Sequence, residues 1–306
     1  MFGLRKSKTH SQSLACLLSD HGYSIAGLEN KQSIRFCEAV NFTEPSSVLT
    51  AQKLREHVEQ YNLYGRQCQI ILSPNSYQLL LMDALDVPES EMAKALRWQL
   101  KGLIDYPLND IAVDAFIVPP HGAGSRRKKV FAAVTLQSAL LNKIELLESS
   151  MLNVSSVSIA ELALSQILLR ITTAADSPVI VISYDEEICQ LHVYNQGSLF
   201  LFRGLSISKS IIHPNSPASQ DMLLEIQRSI DYCLMELKLP EPKTIFFTPS
   251  FYEAIDLFTF LQAELEKNVQ LLDVNSLFNS EPIASEVMAH SFYAIGGALM
   301  QLNERN

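Results

Sequence analysis

Short apolar, β-branched bursts at 14–18, 23–28 and 34–41 predict three strands, with Asp20-His21-Gly22 and Glu29-Asn30-Lys31 as the turns between them. Helical spacing takes over at 51–62, where Leu54, Val58 and Tyr61 share a face. Strands are predicted at 69–72 and 78–83, then a helix after Pro88, then strands at 113–118 and 130–136. In that helix Met92, Leu96, Gln99 and Leu103, with Ala95 and Leu100 beside them, form one face; Glu91, Lys94, Arg97 and Lys101 form the other. Glu89 complements the positive helix end, and Pro107 stops the helix. On this pattern alone, Trp98 is the one large aromatic that the helix puts into the core.

The second half restarts the pattern. Helices at 139–149 and 159–170 lead to a strand at 179–183 and a hairpin, 189–194 with 198–204, around Asn195-Gln196-Gly197. A helix at 221–237, a strand at 244–247, a helix at 252–265, a strand at 269–272 and a helix at 285–302 complete it. Strand, hairpin and helix thus occur near residue 14 and again near 179, which predicts a duplicated α/β unit.

Composition narrows the function classes. With 306 residues and 47% hydrophobic content the chain exceeds one domain of about 100 to 200 residues, so two lobes are expected. A net charge of -9 offers no basic field for nucleic acid or anionic lipid. The apolar run after Ser11-Gln12-Ser13 is strand-length, too short for a signal peptide or membrane span, which predicts a cytoplasmic protein. Five scattered cysteines form no C-x-x-C pair and the histidines show no ligand spacing, so neither a metal site nor a disulfide framework is expected. The loop 121–129 holds two glycines and four cations, yet it joins two strands and opens no helix, so a solvated hairpin tip fits better than a phosphate cradle.

The segment Val87-Pro88-Glu89-Ser90-Glu91, running through Arg97-Trp98-Gln99 to Ile104-Asp105-Tyr106-Pro107-Leu108-Asn109-Asp110, carries a specific resemblance. It resembles the stretch "L-P-x-x-E-x-x-x-A-I-x-W-E" followed by "Y-I-P-F-P-L-x-E-V" of the PilM family of type IV pilus assembly proteins. The resemblance implies an actin-like (ASKHA) duplicated α/β fold: a first lobe over 1–160 with an inserted subdomain at about 68–137, and a second lobe over 161–306. It implies attachment at the inner face of the cytoplasmic membrane through the N-terminal cytoplasmic peptide of a bitopic PilN- or MshJ-like protein, with the pilus motor ATPase as a further partner. Trp98, Tyr106, Pro107 and Leu108 are the peptide-contact candidates it points to, although each also suits a core or helix-stop role.

Nucleotide-binding relatives of that fold carry D-x-G with small hydroxyl residues at each hairpin and G-G after a late strand. Here Asp20-His21-Gly22-Tyr23-Ser24 keeps D-x-G without the hydroxyl run, and suits a turn for local reasons. Ser183-Tyr184-Asp185-Glu186-Glu187 puts Asp185 where glycine belongs and adds carboxylates, which repel phosphate by around 1 kcal/mol per pair in water. Thr248-Pro249-Ser250-Phe251 replaces G-G, and Ile295-Gly296-Gly297-Ala298 resembles the family's closing "A-x-G-L-A", where helix packing explains the glycines. No cofactor and no catalysis are therefore expected, the alternative being ATP with magnesium held by Asp20, Gly22 and Asp185. Within the family this pattern resembles the subgroup of MshI from the MSHA pilus and the cytoplasmic part of GspL from type II secretion.

Overall fold

The computed structural model describes residues 13–120, 128–171, 177–184, 189–205, 216–248 and 255–304. Strands β1 (Ser13–Ser19), β2 (Gly22–Asn30) and β3 (Ser33–Asn41) form an antiparallel meander. Helix α1 (Ser47–Gln60) crosses to β4 (Gln67–Leu72), which lies parallel to β1. The β1–β2 turn is tight, with Ser19 opposite Gly22. Gly22 has φ +151, and a Cβ there would stand 1.9 Å from the Val40 carbonyl oxygen, so only glycine lets β3 close over this turn.

Strands β5 (Gln78–Asp83), β6 (Ile111–Val118) and β7 (Lys129–Leu136) form a separate antiparallel sheet in the order β5-β7-β6. The expected insertion at about 68 would have included β4, but β4 is paired between β1 and its later neighbour, so the inserted sheet starts at β5. Helix α3 (Gln137–Ser149) follows, then β8 (Asn153–Ile159), then α4 (Ala160–Leu168). Strand β8, parallel to β4, completes the order β3-β2-β1-β4-β8. The sequence pattern missed it. Ser155, Ser156 and Ser158 break its apolar alternation, and an edge strand needs only part of that alternation.

The second sheet repeats the first. Strands β9 (Val179–Tyr184), β10 (Cys189–Asn195) and β11 (Ser198–Leu205) form a meander, closed at Gln196 (φ 50) and Gly197 (φ 75) as a two-residue hairpin requires. Helix α5 (Pro217–Met235), β12 (Thr244–Phe247), α6 (Ile255–Glu264) and β13 (Asn268–Leu271) give the order β11-β10-β9-β12-β13, position for position the first sheet's topology.

The last helix, α7 (Ser285–Glu304), returns to the first sheet and packs on β1, β2, β4 and α4. Residues assigned by sequence to the second lobe therefore complete the first. Gln301 accepts from the Leu14 amide at 2.9 Å through Oε1 and donates to the Gln67 carbonyl at 3.4 Å through Nε2. Where α7 crosses α4, a Cβ on Gly296 would lie 2.2 Å from the Ala163 carbonyl oxygen; one on Gly297 would lie 2.6 Å from Ile71. The glycine pair serves close packing, as its apolar setting predicted. One apolar core runs from Ala15 and Ile71 through α4 and α7 into β9 and β10.

Candidate functional site

The diagnostic helix is shorter than its pattern predicts. Helix α2 (Glu89–Leu96) buries Met92 and Leu96 over Val130 and Ala132 of β7, and then the chain tightens into turns. The Gln99 amide donates to the Leu96 carbonyl at 2.8 Å, the Leu103 amide to Leu100 at 3.0 Å, and Gly102 has φ +81. Along these turns Leu100 enters a buried cluster with Ile111 and Val134. Arg97 takes no part in a solvated face. Its guanidinium donates to the carbonyls of Leu108 (2.6 Å) and Ile111 (3.2 Å), pinning the turn 108–110 under the helix end. Asp110 accepts from the amide and hydroxyl of Ser138 at 3.0 and 2.7 Å, fixing that turn to α3.

Trp98 is 79% exposed, which overturns its expected place in the core. Leu103, expected on the apolar face, is 57% exposed. Tyr106 and Leu108 are half-buried against the cluster of Leu100, Ile111 and Val134, and Pro107 is exposed before the short turn. The four peptide-contact candidates thus share one strapped segment covering the inserted sheet, with Trp98 outward and Tyr106 and Leu108 partly spent on packing.

Of the phosphate-site candidates, Asp20 lies elsewhere, at the rim of a cleft. A cleft of about 620 Å³ opens between the two sheets, bounded by Asp20 and His21, by Ser73–Ser76, by Ser183 and Gln190, and by His290 and Tyr293 of α7. Asp20 is largely solvated, and its carboxylate lies 3.6 Å from the Lys143 ammonium on α3. Gly22 is explained by the Val40 contact. Asp185, with Glu186 and Glu187, lies outside the described residues, as do Pro249, Ser250, Phe251 and the loop 121–127. Thr248 is buried, its amide donating to Ile182 at 3.0 Å.

Among the described residues no group of three metal-ligating side chains converges, and no helix is long and apolar enough to cross a membrane. Cys16, Cys68, Cys189 and Cys233 are buried and Cys37 half-buried; burial pushes the Cys189 thiol up to about 12 and Cys233 to about 11. Sequence reasoning missed one polar cluster. Glu161, at the start of α4, is 1% exposed and meets Tyr77, His192 and Tyr194. The available signal was a histidine inside the apolar strand Cys189–Asn195.

No family model matches the chain, and no curated protein matches it in sequence. Solved structures do. It superposes on a PilM-PilN type IV pilus biogenesis complex at TM-score 0.72, with 15% identity over 97% of this chain and 99% of that one. A Bacteroides thetaiotaomicron protein with an actin-like ATPase fold matches at TM-score 0.55, with 12% identity over 89% and 94%. The cytoplasmic domain of EpsL, an inner membrane component of the type II secretion system of Vibrio cholerae, matches at 0.50, with 12% identity over 97% and 96%. The chain has the actin-like fold, in two lobes.

Proposed function

We propose that this chain is a non-catalytic, actin-like assembly protein of a type IV pilus machine, of the MSHA type. It binds the cytoplasmic N-terminal peptide of a bitopic PilN- or MshJ-like inner-membrane protein, is held at the inner face of the membrane through that partner, and adjoins the motor ATPase. Its lobes divide near residues 160 and 161, with the last helix, α7, returning to the first.

The observation that carries this reading is Trp98. A 79% exposed tryptophan on a segment strapped by Arg97 and Asp110 is an aromatic held ready at low entropic cost, and nothing in the fold requires it there. Leu103 and Pro107 extend the apolar surface. The full-length likeness to a structure from a pilus complex supports the choice of machine. The test is calorimetric titration with the N-terminal cytoplasmic peptide of the bitopic pilus protein encoded beside this chain. Micromolar or tighter binding, about -8 kcal/mol, is expected; if no such peptide binds the wild type, the reading fails.

A second reading has one observation in its favour. A cleft of about 620 Å³ lies within the range that holds small ligands, so ATP with magnesium at Asp20, Gly22 and Asp185 is the alternative. Against it, Gly22 is required by the close approach of Val40 on β3, and Asp20 faces Lys143.

A further inference from the structure

Neither the peptide reading nor the nucleotide reading uses Glu161. A carboxyl with 1% exposure is costly unless its oxygens are matched, so its partners say what it is for. The Tyr77 hydroxyl donates to Oε2, and His192 Nε2 lies 3.8 Å from Oε1. The Tyr194 hydroxyl donates to the main-chain carbonyl of Glu161 at 2.9 Å. One turn along α4, the Ser165 hydroxyl donates to the Gly197 carbonyl at the tip of the β10–β11 hairpin.

These partners come from separate bodies. Tyr77 is the root of the inserted sheet on its way in, and Thr135, on the way out, donates to the Ser76 carbonyl at 2.7 Å. His192 and Tyr194 belong to β10 of the second lobe. Ser76 and Gln190, beside Tyr77 in the chain and two residues from His192 on the same strand, both line the cleft with Tyr293. Glu161 therefore sits beneath the cleft floor, between a residue of the insertion and a residue of the second lobe. Widening the cleft pulls Tyr77 and His192 apart across it.

We propose that Tyr77, Glu161 and His192 form a latch that sets the width of the cleft and couples the inserted sheet to the β10–β11 hairpin. A buried carboxyl has no stable half-open arrangement: its partners are in place, or water replaces them, so the coupling has two states. His192 Nδ1, buried without a hydrogen-bond partner, penalises the closed state and gains water on opening. The latch does not depend on which partner the insertion binds.

Paired dyes on Lys53→Cys in α1 and Gln227→Cys in α5, in a Cys37→Ala background, read the distance between the lobes. Tyr77→Phe removes one hydroxyl and is expected to shift the distance distribution to longer values. Glu161→Gln added to it should give no further shift, because both act on one contact. A distribution unchanged in both variants overturns the latch. Hydrogen exchange on the wild type decides the matter if the variants do not fold: β5 and β10 are expected to open as one unit. Exchange in β5 that proceeds while β10 stays protected overturns the proposal.

Discussion

The guanidinium of Arg97 donates to the Leu108 carbonyl at 2.6 Å, folding the segment that carries Trp98 back on the one that carries Tyr106 and Pro107. Orientation of the proposed contact surface is thus set by a side chain that faces away from it.

Trp98→Ala is expected to weaken peptide binding by about 1 to 2 kcal/mol or more, while leaving stability within about 0.5 kcal/mol, since so little of the ring is buried. Tyr106→Ala should also destabilise, by about 1 kcal/mol or more, because its ring packs on Leu100 and Ile111. Calorimetry and urea unfolding separate the two effects. Unchanged affinity in both folded variants would place the groove elsewhere.

Arg97→Ala should cost about 2 kcal/mol in urea unfolding, for two carbonyls that lose a charged donor. Peptide affinity should fall with it, though Arg97 itself faces the backbone. Full affinity at reduced stability would show that the strap does not orient Trp98.

Magnesium-ATP at millimolar concentration should leave the melting temperature unmoved. A ligand at 100 times its Kd adds about 2.7 kcal/mol, so a shift of several degrees would establish nucleotide binding and favour the second reading.

Gly296→Ala is expected to destabilise by about 1 to 3 kcal/mol, because the methyl would enter at 2.2 Å from the Ala163 carbonyl and both groups are helix backbone. Chemical denaturation measures this. A neutral outcome would mean that α4 and α7 cross less tightly than described.

Stability should fall at high pH through the buried thiols. Cys189 and Cys233 rise from 9.0 to about 12 and about 11 in the folded chain. Below pH 9 both states keep their protons and the contribution is constant. Above it the unfolded chain ionises first, so folding loses about 1.4 kcal/mol per pH unit per thiol until the folded pKa is passed. Melting curves from pH 7 to 11 should be flat at first and then decline; Cys189→Ala should soften the decline.

Much of this was legible in the sequence, and the misses have physical reasons. The duplicated meander could be read because β1 and β9 are buried on both faces and because glycine marks the turns at Gly22 and Gly197. Strand β8 was hidden by its serines. The segment after Leu96 kept helical periodicity in its letters, yet Arg97 had backbone carbonyls to bind and Leu100 a cluster to enter, so tertiary contacts overrode the local pattern. At the candidate sites, D-x-G was legible as a turn from Asp20 and Gly22, but the close approach of Val40 that demands the glycine is a contact across strands. Glu161 was invisible because its partners are 84 and 31 positions away in the chain.

Helix α7 has a consequence for how the protein is made. The Leu14 amide finds its acceptor in Gln301, 287 positions later, and the face of β1 and β2 is covered by that same helix. On the ribosome, the first sheet therefore emerges long before its lid exists. Its leucines and isoleucines wait uncovered until α7 has been translated. A nascent chain stopped before residue 285 should stay bound to chaperones, and emergence of α7, more than emergence of the first 160 residues, should be the moment when the amino-terminal lobe becomes resistant to protease.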